Sequence, residues 1–179
     1  MAFFIVFLFV ILQRLIELVV ARRNEKAMFA QGAYEVGASH YPYMILLHVG
    51  FLMSLMIEVM YYKVFEFTHI VFLVLFIVVQ IVRVWCLVSL GPFWNTKIII
   101  LRNARVVSKG PYKYIRHPNY LVVCLEIVLL PVMFGAYFTA ILFTILNFIM
   151  LSIRIPLEEE ALKHATNYKA YVKGELLDD

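Results

Sequence analysis

Five apolar runs set the folding problem: about Phe3–Val20, Tyr41–Tyr62, His69–Leu90, Asn119–Leu130 and Ala136–Ile153. A bilayer core requires roughly 20 apolar residues of helix, and inside lipid a backbone must satisfy its own hydrogen bonds. The chain is therefore expected to be an all-α integral membrane protein of about five transmembrane helices. Composition agrees, with 64% hydrophobic residues against about 45–50% in soluble domains. The first run has no basic leader and no small-residue cleavage site, and it holds Gln13, Arg14 and Glu17. It reads as a retained span rather than a signal peptide.

The polar segments fall between these runs. Residues 1–90 hold three N-terminal spans, with a loop from Asn24 to His40 that has room for one helical turn. Residues 91–118 form a polar connector, in which the β-branched stretches Lys97–Leu101 and Arg105–Val107 are expected to be extended. Residues 119–153 form a helical hairpin that turns at Pro131–Gly135, and 154–179 a tail whose Pro156–Lys173 part reads as an amphipathic surface helix. One domain is expected over 1–179.

Charge placement gives the topology. With the loop after the first span inside, 13 cations lie inside and Lys63 alone outside, while Arg14 and Arg83 fall within spans. The positive-inside rule then puts the N-terminus outside and the C-terminus in the cytoplasm, in a multi-pass cell-membrane protein. The net charge of +4 belongs to this flanking pattern and implies no nucleic-acid partner. Cys86 and Cys124 sit in apolar runs, with no disulfide or metal spacing.

Two polar clusters interrupt the lipid-like sequence. The first is Gly110–Tyr120, with Tyr112, Arg116, His117, Pro118 and Tyr120. Pro118 suits the first turn of a helix, which places His117 at an N-terminus that favours anions. The second is Arg154–Glu160, where Arg154 and Glu158 share a helical face. Pro156 either kinks the fifth span or begins a new helix with three glutamates in its first turn. The bland readings are an interfacial cap and a solvated helix start. The hairpin brings the two clusters together at one membrane face, and that juxtaposition favours a ligand site.

Arg14, Glu58, Arg83 and Glu126 lie deeper. Such residues line a cavity or find a partner. Glu126 has two readings, a substrate contact in the same pocket or a structural pair with Arg83 or Arg14, with pairing slightly preferred. The sequence contains no GxGxxG or Walker loop, no HExxH, no clustered His/Cys metal set and no Gly-x-Ser-x-Gly elbow. A Rossmann or P-loop site and a metal centre are not indicated.

The pattern Gly110-x-Tyr112-x-x-x-Arg116-His117-Pro118-x-Tyr120, then Arg154-x-x-x-Glu158-Glu159 after a hairpin, resembles the isoprenylcysteine carboxyl methyltransferase (ICMT) family. The likeness covers about Lys97 to Tyr171. Gln13-Arg14-Leu15-x-Glu17, Gly32-Ala33-x-Glu35-x-Gly37 and His40-Tyr41-Pro42 resemble its bacterial branch, some of whose members are associated with type III polyketide synthases and methylate alkylpyrones.

The resemblance implies a non-Rossmann methyltransferase with a cytoplasmic-face cofactor pocket for S-adenosylmethionine. Its acceptor is implied to be a lipophilic, membrane-partitioned carboxylate or acidic enol, with a type III polyketide synthase as a working neighbour. Cofactor contacts carry over to Lys97, Ala104, Arg105, Val106, Val107, Tyr112, His117, Pro118, Asn119, Tyr120 and Glu158. The substrate-holding, catalytic arginine carries over to Arg154. Lys97 and Ala104 depart from the glutamine and histidine of eukaryotic members, whose extra N-terminal spans this chain lacks. Rival readings are an NADPH-dependent membrane sterol reductase, which shares a similar knot but not the tail, a phospholipid N-methyltransferase, and a non-enzymatic scaffold.

Overall fold

This computed structural model of the chain describes residues 1–172. The end of the expected surface tail, Lys173 included, lies outside the described residues. The order is α1 (Ala2–Phe29), β1 (Tyr34–Val36), α2 (Tyr41–Tyr62), α3 (Ile70–Leu90), β2 (Ile98–Ile100), α4 (Pro118–Met133), α5 (Tyr137–Ala165) and α6 (Tyr168–Val172). Short 3-10 turns sit at Ala38–His40, Gly91–Phe93 and Gly110–Lys113. The protein is an all-α membrane protein. By length and composition α1, α2, α3 and α5 are able to cross a bilayer, while α4 is a shorter apolar helix of 16 residues.

Two expected boundaries move. The first helix does not stop at Val20 but runs on to Phe29, so Arg22 to Lys26 are helical rather than part of a loop. Those residues are good helix formers once the apolar part has nucleated the turn, and Asn24 Nδ2 anchors them by donating to the carbonyls of Gly91 (3.0 Å) and Trp94 (2.8 Å). The fifth helix passes through Pro156 without ending. The glutamates at 158–160 therefore lie well inside α5, not at a fresh N-terminus, and the helix-dipole argument for them fails. Proline removes only one backbone donor, and the ordered contacts on both sides of it keep the helix whole.

Of the two stretches expected to be extended, Ile98–Ile100 forms β2 and pairs antiparallel with β1, Tyr34 opposite Ile100 and Val36 opposite Ile98. Arg105–Val107 is irregular, held instead by Asn167 Oδ1, which accepts from the Val106 amide at 2.8 Å. Pro118 is the first residue of α4 with His117 before it, as expected. The hairpin turn falls at Phe134–Ala136, where Gly135 has φ 68°. Pro131 lies inside α4.

Glu58 explains how the hairpin is fixed. Its carboxylate, on α2, accepts from the amides of Phe138 (3.0 Å) and Thr139 (2.7 Å). These are two of the N–H groups that the first turn of α5 leaves without helical partners, and Ala136, the residue before the helix, has no side chain to cap them. Nearby, Phe3, Leu55, Val59, Leu130, Met133 and Phe134 form a close-packed core at this end of the bundle. At the other end β1, β2, the connector and α6 gather around buried groups such as Trp94, Ile98–Ile100 and Tyr168.

Candidate functional site

The site begins with Gly110. Its φ of +60° and the crowding of α3 exclude a side chain, because a Cβ would lie 2.2 Å from Ser89 Oγ. The 3-10 turn that follows lays Tyr112 into a buried cluster with Val79, Cys86 and Val122. Burial pushes the Tyr112 phenol above its ordinary range, so it stays protonated. From the tail, the Tyr171 hydroxyl donates to the Tyr112 carbonyl, and the Asn103 amide donates to the Ala165 carbonyl at 2.8 Å. The tail thus closes over the connector.

The two polar clusters meet as the hairpin requires. The Tyr120 hydroxyl on α4 donates to Glu158 Oε2 on α5. His117 Nε2 lies 3.2 Å from Glu159 Oε1, which also accepts from the Tyr168 hydroxyl at 3.1 Å. Burial, then the Glu159 carboxylate, pushes the Tyr168 phenol up. Arg154 is buried, with Nη2 donating to the Thr96 carbonyl at 3.0 Å and Nη1 2.9 Å from Met44 Sδ.

A cavity of about 390 Å³ lies where the two clusters meet. Lys97, Ala104, Arg105, Val106, Val107, Tyr112, His117, Asn119, Tyr120, Arg154 and Glu158 all contribute to its wall. Two of the sequence-predicted residues do not. Pro118 is buried at the start of α4, with its ring in the packing rather than in the wall. Glu126 is likewise absent from the wall, and the substrate contact expected of it is not where the structure puts it. It belongs to a buried ion network instead: Arg14 Nη2 at 2.5 Å, Arg83 Nη1 at 2.6 Å, and Gln80 Nε2 donating at 2.7 Å. Glu17 completes it, accepting twice from Arg83 at 2.5 Å and from Arg14 at 3.1 Å. Two guanidiniums face two carboxylates, so the charges balance, as burial demands. On α4 this network lies six residues, or about 9 Å of helix rise, beyond Tyr120.

Lys97 is more committed than expected. Its ammonium pairs with Glu25 at 2.8 Å and Glu35 at 3.2 Å. The hydrogen bond to Glu25 holds it above the ordinary lysine range. It ties α1, β1 and the connector together at the cavity's edge.

Four polar atoms in this wall stand out. Among the described residues Tyr112 Oη, Asn119 Oδ1, Trp94 Nε1 and Arg154 Nε are buried without a hydrogen-bond partner, and all four residues line the cavity. Buried polar groups normally have partners. The rest of the wall is apolar, including Ile45, Val49, Leu52, Val123 and Met150. Tyr41, Met44, His48, Thr96 and Tyr168 also line it and were not expected from the sequence. Tyr41 was visible in a motif, but a lone histidine or methionine inside an apolar run gives no signal. Among the described residues no group of three His, Cys, Asp or Glu side chains is placed to share a metal ion.

Residues 70–164, just over half of the chain, match the Isoprenylcysteine carboxyl methyltransferase (ICMT) family. YpbQ of Bacillus subtilis (strain 168), an uncharacterized protein, is 46% identical over 162 residues, spanning 90% of this chain and 96% of that one. An uncharacterized protein of Haemophilus influenzae (strain ATCC 51907 / DSM 11121 / KW20 / Rd) is 29% identical over 153 residues, 84% of this chain and 89% of its own. No solved structure matches. The match spans both polar clusters and the hairpin that joins them: the chain belongs to the isoprenylcysteine carboxyl methyltransferase family, a family of membrane methyltransferases.

Proposed function

We propose that this protein transfers a methyl group from S-adenosylmethionine to an oxygen of a lipophilic acceptor, a carboxylate or an acidic enol of the alkylpyrone type. The observation that carries this reading is the convergence of Arg154 with the Tyr120–Glu158 pair on one cavity whose remaining wall is apolar. The residues fit such a donor. The cavity is of the size that small-molecule sites occupy. Glu158 keeps one carboxylate oxygen beside the one Tyr120 engages, able to accept from a ligand's ammonium or hydroxyl groups. Tyr112, Asn119 and Trp94 offer unpartnered polar atoms. Tyrosine rings at 112, 120 and 168 suit a cation.

When bound, S-adenosylmethionine supplies an electrophilic methyl group on a sulfonium centre. The chain's own residues supply alignment and dryness. Arg154, held by Thr96 and Met44, presents a fixed guanidinium to the acceptor anion. A carboxylate is ionised at pH 7, as is a strongly acidic enol, so orientation near the donor is the main requirement. The apolar wall excludes water and accepts the acceptor's hydrocarbon part. In this reading the cavity end of the bundle is cytoplasmic, the N-terminus is outside, and a type III polyketide synthase delivers an alkylpyrone to the membrane.

Calorimetry of the purified protein with S-adenosylmethionine and, separately, with NADPH tests the reading. Heat with S-adenosylmethionine alone is expected. Heat with NADPH alone favours a reductase, and heat with neither favours a scaffold. Mass spectrometry of lipid extracts from cells with and without the protein then identifies the acceptor by its added methyl group.

A further inference from the structure

His48 stands on α2 one turn beyond Met44 and borders the main cavity. Its Nδ1 lies 2.8 Å from the Met44 carbonyl oxygen. A carbonyl only accepts, so Nδ1 carries the proton and, in the neutral ring, Nε2 carries a lone pair. Among the described residues Nε2 has no hydrogen-bond partner, yet it is not one of the sealed, unpartnered atoms. The same Met44 takes Arg154 on its sulfur. One residue of α2 thus fixes both a guanidinium and an imidazole on the same stretch of wall.

The other candidate bases near the cavity are engaged. Glu17 uses both oxygens on Arg83, Glu158 accepts from Tyr120 on one oxygen and its other is assigned to the donor above, and His117 Nε2 lies against Glu159. The charged groups that act on His48 are Arg14, Glu126 and Arg154, of which Arg14 and Arg154 share the wall with it. Glu126 joins it at an adjoining cavity of about 30 Å³.

A carboxylate or an ionised enol has no proton to give and needs no base. We infer that His48 Nε2 is the proton acceptor for a second class of acceptor, amphiphilic phenols and weakly acidic enols that arrive with the O–H intact. This rests on the methyl-transfer reading above. The O–H bond breaks, its electron pair stays on oxygen beside Arg154, and the proton goes to Nε2. The imidazolium then returns that proton to water at the cavity mouth. A positioned base of this kind contributes about 100-fold or more.

The test uses the full chain in detergent, with an alkyl-substituted nitrophenol whose absorbance separates phenol from phenolate. His48→Asn keeps a donor for the Met44 carbonyl and removes Nε2. Wild type is expected to bind the probe as phenolate and His48→Asn to bind it mostly as phenol. With S-adenosylmethionine, turnover of a phenol acceptor is expected to fall about 100-fold more than turnover of a carboxylate acceptor in that variant. Equal spectra for the two proteins, or a wild type that leaves the probe protonated, overturns the role of His48. A wild type that ionises the probe but methylates neither acceptor keeps the base and overturns the methyl-transfer reading instead. A thermal melt of His48→Asn that matches wild type guards against misfolding, and His48→Gln, which leaves the helix its length of side chain, repeats the comparison if it does not.

Discussion

The Tyr120 hydroxyl donates to Glu158 across 38 residues of chain, and this pair closes the open end of the α4–α5 hairpin. It converts two sequence clusters into one wall. Tyr120 is the third residue of α4, two after the proline that starts it, and Glu158 lies one turn past Arg154 on α5.

Tyr120→Phe removes a hydrogen bond to a charged group, worth about 1.5–3 kcal/mol. Affinity for S-adenosylmethionine is expected to fall about 10- to 100-fold, because Glu158 then swings free. Isothermal calorimetry reads this directly. An unchanged dissociation constant assigns the pair to hairpin stability alone.

Arg154→Ala is expected to lower turnover by at least about 100-fold, the scale seen when a preorganised charge-stabilising group is lost. Binding of S-adenosylmethionine survives in that variant. Arg154→Lys recovers only part of the rate, since an ammonium cannot reproduce the planar fork held by Thr96 and Met44. Abolished donor binding in Arg154→Ala means the arginine holds the donor rather than the acceptor.

Glu17→Gln leaves the buried Arg83 and the partly buried Arg14 facing one carboxylate. Breaking a buried ion pair in this way costs about 3–5 kcal/mol, so the melting temperature in detergent drops markedly. Adding Arg14→Met restores the charge balance and is expected to regain part of the loss. If Glu17→Gln melts with wild type, the network does not hold α1 to α3 and α4.

Gly110→Ala meets Ser89 Oγ at 2.2 Å and must adopt φ +60°. A left-handed backbone costs roughly 1–2 kcal/mol for an L-residue, and the clash adds to it. Ser89→Gly in the same chain is expected to relieve the clash and leave the backbone part. Comparing the three melts separates the two contributions, and a fully stable Gly110→Ala shows that α3 yields at that point.

Much of this arrangement was legible because lipid restricts the options. Tyr41–Tyr62 reads as a helix from its apolar run, and Pro118 reads as a helix start from its missing donor. The meeting of Tyr120 with Glu158 followed from a hairpin of known length. Other features carried no local signal. The β1–β2 pair joins residues more than 60 positions apart, and Glu58 caps a helix 80 positions away. Asn24–Phe29 looked like a loop because charges end the apolar run, although charge does not prevent a helix. Glu126 kept two readings because both its cationic partners, Arg14 and Arg83, border the main cavity, while Glu126 itself borders only the small adjoining one.

The carboxylate of Glu58 has a reach longer than its two hydrogen bonds. It seizes the first turn of α5, and α5 then continues unbroken for 29 residues, about 43 Å of helix rise, to the far side of Arg154 and Glu158. The distance from the capped end to Arg154 is therefore set by one rod and not by loops. A bilayer thinner or thicker than that rod tilts it as a unit, and the tilt arrives at Arg154 undiminished. Membrane thickness thereby becomes a setting of where Arg154 stands, with Glu58 as the fixed end from which it is measured.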